Sequence, residues 1–180
     1  MRKKILIGLI ALIAIVAVFA GVIAMQPSEF RIVRSAAMSA PAPEVFAQVN
    51  DFHNWDAWSP WAKLDPKAKN TFEGPAAGTG AIFKWSGNNE VGEGSMTLTQ
   101  SHPYDLITIK LEFVRPFADT STAEFTFEPK DDQTVVTWSM FGRRNFIAKA
   151  VCFFMNMDKM VGGQFEKGLA QMKAIVEAEK

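Results

Sequence analysis

The sequence is short of the residues that carry most chemistry. In 180 residues it has one cysteine, two histidines and one tyrosine. A single cysteine, Cys152, excludes an intramolecular disulfide. That does not fix the compartment, because domains in oxidising compartments can also lack disulfides. Cys152 lies among Ala150, Val151, Phe153 and Phe154, which predicts a buried and inert thiol. His53 and His102 are isolated, with no Cys or carboxylate at ligand spacing, and there is no His-Glu-x-x-His or Cys-x-x-Cys. No metal site and no cofactor are expected. Gly-x-Ser-x-Gly and Walker sequences are also missing. Gly92-x-Gly94 sits inside a strand pattern, with no third glycine opening a helix, so it is not a dinucleotide fingerprint.

Charge of one sign is missing too. The chain is neutral overall, with 19 basic and 19 acidic residues. Without Arg2, Lys3 and Lys4 the remainder has 16 basic against 19 acidic residues. Such a domain has no basic footprint for nucleic acid. Aromatic residues, by contrast, are plentiful, with fifteen Phe and five Trp. Phe has no polar handle, so this bias favours a dry interior.

Ile5 to Met25 is 21 residues without a charge or a proline. As a helix it is about 31 Å long, close to the hydrocarbon thickness of a bilayer. A signal peptide shares the basic start, but its apolar region is usually about 7 to 15 residues. The length predicts an uncleaved anchor; a cleaved signal, cut after Ala20, is the alternative. Residues 1–4 form a basic N-terminus, 5–25 the anchor, 26–29 a linker and 30–180 the folded domain. The positive-inside rule places the N-terminus in the cytoplasm. In a bacterium the domain is then periplasmic, on a single-pass inner-membrane protein.

After the linker, Phe30, Ile32 and the stretch to Met38 read as a strand, ended by Ala40-Pro41-Ala42-Pro43. Pro43 and Glu44 suit a helix start, and Val45, Phe46 and Val49 give that helix an apolar face. Thr71–Glu73, Ala81–Trp85 and Gly92–Leu98 read as strands. Three further runs then alternate with period two, through Ile107–Phe113, Ala123–Phe127 and Thr134–Met140. Short turns link these last three, which predicts an antiparallel meander with one apolar face. In the final segment Asn145 is a helix cap. Phe165, Leu169, Met172 and Val176 recur at helical spacing, opposite Glu166, Lys167, Lys173 and Glu177. Gly162-Gly163 interrupts that pattern at a cost of roughly 1 kcal/mol each. It marks either a bend or a close approach of the backbone to the sheet or a ligand.

A long helix after an antiparallel run predicts a sheet curved around the helix, with a pocket between them. Trp55, Trp58 and Trp61 fall within seven residues. They form either the wall of an apolar site or a plug in the core. The inward positions Phe83, Trp85, Met96, Phe113, Phe125 and Trp138 are candidates to line the pocket. Phe154, Met157 and Met160 on the final segment are candidates to close it. Asp56 among tryptophans and Asp158 among methionines are the candidate general acids, if burial raises their pKa. The bland alternatives are a cap for Asp56 and a solvated charge for Asp158.

The order of elements, together with particular stretches, resembles the START-like, helix-grip superfamily, also called SRPBCC or polyketide cyclase/dehydrase-like. The stretches are Ala40–Phe46, Trp55, Trp58-Ser59-Pro60-Trp61, Gly78-Thr79-Gly80, Phe125-Thr126-Phe127 and Met157–Phe165. The resemblance runs from about Phe30 to Glu177 and is closest to a membrane-anchored bacterial branch. It implies an α+β fold, with a curved antiparallel sheet of about seven strands gripping a long C-terminal helix. It also implies a cavity for a lipid or other hydrophobic small molecule. Two alternatives follow: a cyclase or dehydrase-like enzyme, or a cavity-less protein-interaction domain. The family has no shared catalytic motif to carry over, and the sequence names neither a ligand nor a protein partner.

Overall fold

In the computed structural model, residues 2–178 are described, and they form two compact units. One comprises residues 2–30 and 143–157, the other residues 31–142 and 158–178.

The first unit is helical. Helix α1 (Arg2–Met25) is 24 residues long, about 36 Å at helical rise. Its apolar side chains are exposed around most of its girth, from Ile5 to Val22, while Ile23 is buried. Helix α4 (Phe146–Phe154) is capped as the sequence predicts: the Asn145 side chain accepts from the Ala148 N–H at 2.8 Å. Cys152 is half-buried rather than buried, because α4 has no fully buried residue. The α4 rings pack on α1, with Phe19 lying 5.7 Å from Phe153 and 5.8 Å from Phe154.

The second unit contains most of a seven-stranded antiparallel sheet. Its strands are β1 (Glu29–Met38), β2 (Lys69–Glu73), β3 (Ile82–Ser86), β4 (Glu93–His102), β5 (Leu106–Arg115), β6 (Asp119–Lys130) and β7 (Gln133–Arg143). Their spatial order is β1-β7-β6-β5-β4-β3-β2. The meander follows from alternation: along β6, Ala123, Phe125 and Phe127 are buried between half-buried Glu124 and Thr126. Between β1 and β2 come α2 (Ala42–Asn50), a short 3-10 turn (Phe52–Asn54) and α3 (Trp55–Trp58). Pro41 caps α2 in an extended conformation and Pro43 falls in its first turn, where a missing N–H costs nothing.

Helix α5 (Met157–Ala178) buries the stripe Phe165, Leu169, Met172 and Val176. The glycine pair does not break it; the break falls earlier, at Met155, whose backbone is extended. Gly162 is the point of close approach. A Cβ there would collide with the Arg34 guanidinium of β1. That guanidinium donates to Asp158 Oδ1 at 3.1 Å and Oδ2 at 3.0 Å, and to Glu166 Oε1 at 2.6 Å. Gly163 faces open space. Tertiary packing of the stripe outweighs the propensity cost of two glycines.

Candidate functional site

The inner face of the sheet is defined by register. Phe83 pairs with Met96, and Trp85 with Gly94. Gly94 pairs with Phe113, Met96 with Leu111 and Leu98 with Ile109. Ile107 pairs with Phe125, which pairs with Trp138. Directly paired residues share a face, so these side chains belong to one surface.

One part of that surface is sealed. Trp138 stacks flat on Phe165 of α5, with centroids 4.0 Å apart and planes 9° from parallel. Its other close ring is Phe125 at 4.8 Å. Trp55, Trp58 and Trp61 all meet Trp138 edge-on, at 6.2, 5.6 and 5.9 Å. The expected gap between this part of the sheet and the last helix is therefore occupied by rings. The indole N–H groups of Trp55 and Trp58 donate to Val49 and Gln48 carbonyls of α2 at 3.0 Å. These bonds fix α3 against α2. The Trp138 N–H is buried without a hydrogen-bond partner among the described residues, an arrangement that costs about 1–3 kcal/mol.

The other part is half-open. Phe83, Trp85, Leu111 and Phe113 are partly exposed on the same face. Trp85 lies over Gly94, where a Cβ would come within 2.6 Å of the indole, and its N–H donates to the Val91 carbonyl at 2.9 Å. Phe83 stacks beside it at 6.0 Å, and Phe113 meets it edge-on at 6.0 Å. Exposed Phe72 of β2 extends the row, 5.2 Å from Phe83. These rings form an apolar shelf with one orientation already fixed by the Trp85 hydrogen bond.

The remaining candidates fall elsewhere. Phe154 is 73% exposed and belongs to the α1–α4 unit, as does half-buried Met157. Met160 is exposed on α5. Asp56 is exposed in the first turn of α3. Asp158 pairs with Arg34, whose guanidinium holds the carboxyl below the usual carboxylate range. That direction is opposite to what a general acid needs near neutrality. Contrary to what its sequence surroundings predict, His53 is not isolated but pairs with Asp51 two residues before it. His53 Nδ1 lies 2.7 Å from Asp51 Oδ1, with its ring stacked 4.0 Å from Phe72. Asp51 also accepts from the His53 backbone N–H, which caps the 3-10 turn; the i, i+2 spacing was the available signal. Among the described residues, no three His, Cys, Asp or Glu side chains gather as a metal site.

Hollows also mark the surface of each unit. One of about 390 Å³ is lined by Ala40, Pro41, Ala42, Pro129 and Gln133 among others. One of about 50 Å³ lies among Gln26, Pro27, Arg144, Lys149, Cys152 and Phe153.

Residues 29–177 match the family described as polyketide cyclase/dehydrase and lipid transport, and the chain belongs to that family. A comparison with curated proteins gives no match. Among solved structures, protein MLL2253 from Mesorhizobium loti is similar, with a TM-score of 0.59 and 16% identity over 84% of this chain and 99% of that one. Protein CV1439 from Chromobacterium violaceum has a TM-score of 0.56 and 16% identity, over 84% and 99% of the two chains. Protein Ms6760 from Mycobacterium smegmatis has a TM-score of 0.58 and 17% identity, over 83% and 92%. At such identities the likeness is one of fold.

Proposed function

We propose that this family member binds an apolar small molecule or lipid on the half-open part of the inner sheet face. The observation that carries the reading is the partial exposure of Phe83, Trp85, Leu111 and Phe113 on the face that elsewhere forms the core. A ring left partly in water offers tens of Å² of apolar surface, worth roughly 1–2 kcal/mol to a guest that covers it. Four such side chains together contribute roughly 4–8 kcal/mol before association costs are met. α1 is proposed to be an uncleaved anchor, with Arg2, Lys3 and Lys4 cytoplasmic and the domain across the membrane, periplasmic in a bacterium. Its length and its exposed apolar surface support that reading; a cleaved signal sequence shares the apolar surface, but its apolar region is usually about 7 to 15 residues. A bound guest would then be drawn from, or delivered to, the adjacent bilayer.

Titration with a dansyl-labelled fatty acid tests the binding reading. The protein should give saturable binding, and Trp85→Ala should weaken it about tenfold, the equivalent of roughly 1.4 kcal/mol. Val114→Ala, on the opposite face, should leave it unchanged. Absence of saturation, or equal affinity in Trp85→Ala, would sink the proposal. The ring stack of Trp138 and Phe165 favours a second reading, a tethered interaction domain with a filled interior. That reading becomes the better one if no fatty acid binds.

A further inference from the structure

Among the described residues, helix α4 keeps an apolar face largely exposed, with only the edge of Phe154 against α1. Ile147, Val151 and Phe154 recur at steps of four and three and point outward, with Ile147 64% and Phe154 73% exposed. Phe146 and Met155 at its two ends are exposed as well. A soluble nine-residue helix has no reason to keep such a stripe in water. The neighbours of α4 say what covers it.

The helix is tied to the C-terminal end of α1 at two depths. The Lys149 ammonium donates to the Ala24 carbonyl at 3.1 Å. Ala24 is one of the last four residues of α1, whose carbonyls have no partner within the helix. Further along, the rings of Phe153 and Phe154 meet Phe19. Phe19 lies five residues before Ala24, about 7.5 Å further into α1. Amphipathic interfacial helices bury their apolar face about 5–10 Å below the head groups. The charge pattern agrees: Arg143, Arg144 and Lys149 are the ionisable cations between residues 143 and 157, and no Asp or Glu occurs there. Anionic head groups would complement them.

We infer that α4 is a membrane-inserted helix that runs alongside the end of α1. It lies in the leaflet where α1 emerges, with Ile147, Val151 and Phe154 in the acyl chains and Lys149 at the level of the head groups. This rests on the reading of α1 as an anchor and adds a second contact with the bilayer.

The test uses full-length protein in vesicles of phosphatidylethanolamine and phosphatidylglycerol. In a Cys152→Ser background, a nitrobenzoxadiazole label is placed through Leu12→Cys, Phe154→Cys or Ala170→Cys in turn. Lipids brominated at defined chain depths serve as quenchers. The label at position 12 should be quenched by bromines deep in the chain. The label at position 154 should be quenched by bromines near the glycerol, and the label at position 170 by neither. Quenching at position 12 without quenching at position 154 overturns the α4 inference and leaves the anchor standing. A label at position 154 that is shielded from water yet unquenched by lipid means that a protein covers α4, and this also overturns it. Loss of quenching at position 12 as well removes the anchor and the inference together.

Discussion

Strand β5 passes from one kind of interior to another. Ile107 and Ile109 are fully buried, whereas Leu111 and Phe113, on the same face of the same strand, are half-exposed. The alternation is identical in both halves, so β-pattern does not distinguish them. What differs is the partner. The sealed region includes Phe125 and Trp138, and α5 and α3 supply Phe165, Trp55 and Trp58 to the same ring cluster. The half-open region sets Phe83 and Trp85 against one another, Phe113, exposed Phe72 and, from the 3-10 turn, Phe52, and leaves both partly exposed. An inner face is core only where another element reaches it, and where none does the same residues become a surface on which something can bind.

The largest effect expected of that difference is in stability. Trp138→Ala should cost about 3–5 kcal/mol, as large aromatic truncations in packed cores do. Trp85→Ala should cost less than about 2 kcal/mol, because its ring is already partly wet. Urea unfolding of the two variants gives both values, and equal losses would erase the distinction between the regions. Trp138→Phe refines the point. It keeps a ring on Phe165 while deleting the unpartnered N–H, so its loss should be well under that of the alanine variant.

A smaller effect tests how tightly the sealed part is packed. At Gly168 a Cβ would lie 3.0 Å from Trp138 and 3.1 Å from Pro60. Trp138 is held between Phe125 and Phe165 and has little room to yield. Gly168→Ala should therefore destabilise by about 1–2 kcal/mol despite the better helix propensity of alanine. Gly163→Ala, with open space around it, should stabilise by up to about 1 kcal/mol. The same sign for both in thermal unfolding would mean that the stack can shift.

The smallest effect concerns the charges that tie α5 to β1. Arg34 lowers the Asp158 pKa, and the Ser39 N–H, donating at 2.6 Å, lowers that of Glu177, helped by Lys173. A depressed carboxylate favours the folded state above its unfolded pKa and stops doing so as pH falls through its folded value. Stability should thus be flat near neutrality and decline below the ordinary values of 3.8 and 4.5. Glu177→Gln should make the decline shallower in unfolding midpoints measured across that range. Both groups are solvent-screened, so the change should be small beside that of Trp138→Ala; a comparable change would mean that charges, rather than rings, hold α5.

Much of this was legible in residue order. Period-two runs marked the meander, and the steps of four, three and four from Phe165 to Val176 marked the buried face of α5. Asn145 announced the cap of α4, because a short polar side chain before an apolar run has one local use. These readings concern neighbours in sequence, where geometry is fixed by the backbone period. The candidate site was legible only in part. Phe83, Trp85, Phe113, Phe125 and Trp138 were assigned to one face, and they do share it. That Trp138 would be stacked and Trp85 left half-open could not be read, since their strands look alike. Arg34 was unremarkable as a sequence feature; the carboxylates that accept from it lie on a helix more than a hundred residues away.

Sequence by itself determined the elements, their apolar faces, and an apolar N-terminal helix of bilayer length, because local propensity and periodicity suffice for these. Tertiary structure decided which stretches of those faces are covered. It closed the inner sheet with rings at Trp138, left it ajar at Trp85, and opened a place for Arg34 at Gly162. Burial depends on what arrives from elsewhere in the chain, and that information is not held in any single window of residues.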